Sequence, residues 1–130
     1  MILDTSFLID LMSQQPEAVK KFWELQEQNE NLFIATPAIF ELWSGIARSS
    51  KPEAEKKKVA QIVESQMILS LEKGSAEEAG KIDGFLCKEG QTIDPEDCMI
   101  AGIAKYYDEV VLTRNVKHFN RIKGLKIESY

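Results

Sequence analysis

The sequence predicts an α/β fold, a three-layer α/β/α sandwich around a mainly parallel sheet of about five strands. Three observations carry this expectation. Short apolar runs rich in β-branched and aromatic residues alternate with longer stretches of helical apolar spacing along the whole chain. Prolines 16, 37, 52 and 95 stand where helices should begin, a position that does not need their missing N–H. The first apolar run leads straight into Asp4, so a carboxylate stands where a strand ends, and parallel sheets collect ligands at that end. Right-handed crossovers between such strands put helices on both faces.

Residues 1–3 form the first expected strand, after which Thr5 or Ser6 caps a helix reaching about Met12. A second helix begins at Pro16 with a buried stripe of Val19, Phe22, Trp23 and Leu25, and the polar run 26–31 ends it. Residues 32–35 read as a strand buried on both faces. Thr36 and Pro37 open a helix with Ile39, Leu42, Trp43 and Ile46 on one stripe, fading at Ser49 to Pro52. The next helix turns Val59, Ile62 and Val63 inward and its Glu/Lys-rich face to solvent, and residues 67–71 follow as a third strand. A helix over 76–88 carries Ala79, Ile82, Phe85 and Leu86 and closes at Gly90. Asp94 and Pro95 open a helix to about Tyr107; residues 110–112 are a strand, 126–128 a weaker one, and 113–125 a loop.

At 130 residues, with 44% hydrophobic and 28% charged, the chain suits one domain spanning 1–130 with its own core. No apolar run approaches the roughly 20 residues that span a bilayer, and Asp4 and Asp10 interrupt what would be a signal peptide's apolar part. A cytoplasmic protein with no membrane partner is expected. Cys87 and Cys98 lack metal-site spacing and are expected as reduced core residues. The net charge of -5 argues against coating nucleic acid by bulk electrostatics, while leaving room for a local basic rim.

Three acids carry the candidate chemistry. Glu41 lies one turn into its helix and shares a face with Gly45 and Arg48, as either a solvated side chain or a site residue. Asp97 shares a face with Ile100, Ala101 and Ala104, so it needs a partner unless it only supports a cap at Asp94, and helix-end amides should keep it ionised. Asp4 is either a helix cap or a ligand. Asp94 is a supporting group, Glu96 points elsewhere, and Asp10 lies beyond the first helical turn without a partner. If the strand of Asp4 neighbours the strand ending at Leu112, then Asp4, Asp97 and Asn115 converge at a switch point of the sheet. Oxygen ligands of this kind suit Mg²⁺ or Mn²⁺ rather than zinc.

Four segments, I-L-D-T-S from Ile2, T-P-A-I-F-E-L from Thr36, P-E-D-C-M-I-A-G-I-A from Pro95 and L-T-R-N-V-K-H-F from Leu112, occur in an order that resembles PIN domains, in particular the VapC-type toxin ribonucleases. The resemblance implies that Asp4, Glu41 and Asp97 hold Mg²⁺ or Mn²⁺ for endonucleolytic hydrolysis of single-stranded or loop RNA by a metal-activated water. Asn115 falls where many relatives have a fourth acid. Thr5, Ser6 and Thr113 are placed to bond carboxylates or waters, and Arg48, Arg114 and Lys117 to hold flanking phosphates. His118, the single histidine, is left as a loop or phosphate contact, and Trp23 and Trp43 as core or interface residues. The resemblance also implies a homodimer and a small VapB-like antitoxin, through which the pair binds promoter DNA. The competing expectation is a catalytically weak PIN-like binding or scaffold protein. A phosphotransferase that uses paired aspartates is disfavoured, because Ser6 occupies the second position.

Overall fold

The computed structural model describes residues 1–130. Five strands, β1 (Ile2–Leu3), β2 (Phe33–Ala35), β3 (Met67–Leu69), β4 (Val111–Leu112) and β5 (Ile127–Glu128), are separated by seven helices. The helices are α1 (Thr5–Met12), α2 (Pro16–Glu27), α3 (Thr36–Arg48), α4 (Pro52–Ser65), α5 (Lys73–Lys88), α6 (Pro95–Tyr106) and α7 (Val116–Phe119). The sheet order is β3-β2-β1-β4-β5 and every pairing is parallel. From β1 the chain steps outward to β2 and β3, then crosses back past β1 to β4 and β5. The strand order thus reverses between β1 and β4, where Ile2 pairs with Val111 and Leu3 with Leu112. A crevice opens there at the carboxyl ends.

Hydrophobic burial explains the centre of the sheet. Ile2, Leu3, Ile34, Val111 and Leu112 have almost no exposed surface, as expected of parallel strands covered on both faces. Phe7, Ile100, Ile103 and Phe119 pack on them within a single apolar cluster. Helices α5 and α6 lie unusually close: a Cβ on Gly102 would stand 2.7 Å from both the Ala79 backbone nitrogen and the Ser75 carbonyl oxygen. Ser75, fully buried, accepts the Glu72 N–H at 2.9 Å and so starts α5 three residues before the sequence pattern does.

Several expectations change. Asp4, rather than Thr5 or Ser6, occupies the cap position of α1, and its side chain makes no cap bond. The stretch 113–125, read as a loop, contains α7. Trp23 is 61% exposed because α2 buries Ala18 and Leu25 instead, and its indole meets Phe22 edge-on. Trp43 and Phe85 are also exposed, and of the two cysteines only Cys98 is in the core. The third strand stops at Leu69. No helix is long and apolar enough to cross a membrane.

Candidate active site

Asp4 leaves β1 at the point of reversal, its N–H held by Leu112 O at 2.9 Å. The side chain is 2% exposed. Its Oδ2 accepts hydrogen bonds from the hydroxyls of Ser6 at 2.8 Å and Thr113 at 2.7 Å. Its Oδ1 is buried with no partner. A buried carboxylate oxygen without a donor is costly, so this atom is the clearest sign that something else belongs at the site.

The other acids arrive from helix starts. Glu41 projects from the second turn of α3, half-buried, and its Oε1 accepts the Thr5 hydroxyl at 2.8 Å. Its carboxyl is raised above the ordinary range, chiefly by burial and also by the charge of Asp4, against the lowering effect of the Thr5 bond. Asp97, 7% exposed in the first turn of α6, is pushed up to about 7 by burial first and then by the charges of Asp4 and Glu41. Loss of water thus works against the helix-end amides that were expected to keep Asp97 ionised. Glu96 and Asp94 add smaller raising contributions to both carboxyls.

The strand-end segment completes the crevice. Thr113 is fully buried and accepts the Asn115 N–H at 2.8 Å through the same hydroxyl that serves Asp4. Ser6 Oγ lies 3.2 Å from the Thr113 hydroxyl and accepts the Arg114 N–H at 3.2 Å. Asn115 places its amide nitrogen 2.8 Å from His118 Nδ1, which gives that histidine a structural partner. Asp94 is exposed at the α6 cap position and makes no cap bond with its side chain. Arg48 bonds the Ser44 carbonyl on the exposed side of α3, and Lys117 is exposed; neither joins the acids.

One group escaped the sequence reading. Asp10 is 6% exposed and accepts the Arg114 guanidinium at 2.5 Å on Oδ1 and the Tyr130 hydroxyl at 2.6 Å on Oδ2. Its partners lie 104 and 120 positions away, beyond any local pattern. The one available signal was that Asp10 shares a face of α1 with Phe7.

No three His, Cys, Asp or Glu side chains stand close enough together in this structure to hold a metal ion. Like charges in a water-poor crevice repel, and Thr5 holds one oxygen of Glu41. The residues nonetheless fit a divalent cation: the donors are all oxygens, and Asp4 Oδ1 has no other partner.

A family profile described as PIN domain matches residues 1–125. The tRNA(fMet)-specific endonuclease VapC of Salmonella typhimurium is 30% identical over 129 residues, covering 99% of this chain and 96% of the relative. The enzyme of that name from Shigella flexneri is 27% identical over the same shares. Among solved structures, DNA-bound VapBC from Salmonella typhimurium superimposes with a TM-score of 0.87 at 30% identity, covering 98% of this chain and 96% of the matched one. Profile, relatives and fold agree along nearly the full length, and the chain belongs to the PIN-domain family.

Proposed function

We propose that this chain is a divalent-metal-dependent endoribonuclease and the toxin of a type II toxin–antitoxin pair. The carrying observation is the buried, unpartnered Oδ1 of Asp4 beside two carboxyls whose values are raised by burial and mutual charge. Mg²⁺ or Mn²⁺, if held there, would supply positive charge to a phosphodiester and lower the pKa of a bound water for hydrolysis. Asp4, Glu41 and Asp97 are the ligands, with Asn115 beside them. Thr5, Ser6 and Thr113 orient the carboxylates by the bonds described above, and supporting bonds of this kind affect metal affinity substantially. Arg114 and Lys117 hold flanking phosphates; Asp94 adds negative charge, and Arg48 contacts the RNA farther out.

The full-length kinship to VapC endonucleases supports RNA as substrate, and the initiator tRNA named for those relatives is the first one to test. The occurrence of a relative in a DNA-bound VapBC complex supports a VapB-like antitoxin with promoter DNA bound through it; a homodimeric toxin acting in the cytoplasm, a single domain over 1–130, belongs to the same proposal. A hollow of about 250 Å³ beside Glu41, lined in part by Ile9, Met12, Gly45, Ile46 and Val59, offers an apolar seat for an antitoxin segment.

Purified protein should cleave RNA in Mg²⁺ or Mn²⁺, fail in EDTA, and lose activity in Asp4→Asn and Asp97→Asn. Equal cleavage by wild type and both variants sinks the assignment. The second reading, a weak PIN-like binding or scaffold protein, draws on Asn115 standing where a fourth acid is expected; tight metal binding with no cleavage of any RNA would favour it.

A further inference from the structure

Resting on the nuclease reading, we infer that Asp10 and Tyr130 are positioning residues that aim the Arg114 guanidinium at a phosphate of the bound RNA. Arg114 is fastened to α1 at two points one helical turn apart. Its backbone N–H reaches Ser6 Oγ at 3.2 Å, and its side chain reaches Asp10 Oδ1 at 2.5 Å. Ser6 is bonded directly to Asp4. The guanidinium is therefore anchored about one turn along α1 from Ser6, which bonds Asp4. Asp10 uses one NH1 group only, the Arg114 side chain is 61% exposed, and an arginine carries five N–H donors. The remaining donors, a set suited to paired contact with phosphate oxygens, have no protein partner.

Asp10 is built as a fixed anchor rather than a surface ion-pair partner. It sits on the buried face of α1 one turn after Phe7, and Tyr130 closes over both. The Tyr130 ring meets the Phe7 ring edge-on at 4.9 Å and 82°, while its hydroxyl donates to Asp10 Oδ2. Each Asp10 oxygen thus has one short donor, and the carboxylate cannot swing away from Arg114. Burial and the Asp10 bond both push the Tyr130 phenol well above its ordinary value, so it remains a donor. An exposed ion pair alone leaves an arginine free to wander; a buried, doubly bonded acid sets its direction.

Tyr130→Phe keeps the ring on Phe7 and removes only the donor, and Asp10→Asn removes the charge with little change in volume. Each should raise KM for RNA about threefold to tenfold while kcat stays within about twofold, and each should weaken binding of a fluorescent single-stranded RNA to the cleavage-impaired Asp97→Asn background to a similar degree. Neither should have any effect in an Arg114→Ala protein, because the contact they serve is gone. Unchanged KM and binding, or losses of the same size without Arg114, overturn the inference. RNA binding that follows this pattern, with no cleavage by wild type in Mg²⁺ or Mn²⁺, would instead refute the nuclease reading and leave the positioning role standing.

Discussion

Leaving a buried carboxylate oxygen without a donor costs about 1–3 kcal/mol, so Asp4 Oδ1 reads as an atom kept for a ligand. Asp4→Asn should lower kcat at least about 100-fold and abolish the rise in Tm expected of the wild type in Mn²⁺, with the far-ultraviolet circular dichroism unchanged. A retained Mn²⁺ shift would move the metal elsewhere. Asp97 provides the pH dependence. Its folded-state value of about 7 lies above its ordinary 3.8, so the metal-free fold holds a proton that the unfolded chain releases. Stability of the metal-free protein should therefore fall as pH rises through that window. The cation needs the ionised form, so apparent Mn²⁺ affinity should climb up to tenfold per pH unit towards about 7 and level off above it. Calorimetric titrations across that range check the slope, and Asp97→Asn should flatten the stability curve. Thr113→Val, which removes one of the two donors to Asp4 Oδ2, should weaken Mn²⁺ binding about tenfold.

Helices α5 and α6 depend on a missing side chain. The Gly102→Ala methyl would stand 2.7 Å from backbone atoms that cannot rotate aside, so the substitution should cost about 1–3 kcal/mol. Gly80→Ala on the outer face of α5 meets nothing within 4 Å and should be neutral or stabilising by up to about 1 kcal/mol. Urea denaturation of the pair decides whether close approach or helix propensity governs these glycines. The same elements show what the sequence could reveal. β1 and β4 were visible because strands buried on both faces are continuously apolar, and Asp97 because a carboxylate on a small apolar helix face stands out. α7 was not, since four residues around Asn115 and His118 give no helical period. The outward turn of Trp23 was hidden for a related reason: within α2, spacing alone does not separate the buried edge of a stripe from its exposed one. The bonds from Asp10 to Arg114 and Tyr130 join residues that only the closed sheet brings together.

At the scale of the whole molecule, the reversal between β1 and β4 separates two kinds of surface. The carboxyl ends of the strands hold the acids, and Glu41 faces them from the side of α3 that also carries Gly45 and Ile46. Phe40 and Trp43, one turn apart, are 61% and 46% exposed, while neither lines the hollow beside Glu41. At the sheet edge, Met67 and Ile68 of β3 are exposed as well. Large apolar side chains paired on one helix face are the usual centre of a protein interface. The proposed homodimer is therefore expected to use this side of α3. Phe40→Ser with Trp43→Ser should turn a dimer into a monomer in sedimentation velocity runs while preserving the Mn²⁺-dependent rise in Tm. A wild-type monomer would remove the dimer from the proposal; a dimer that survives both substitutions would move its interface to another face, such as the exposed edge of β3.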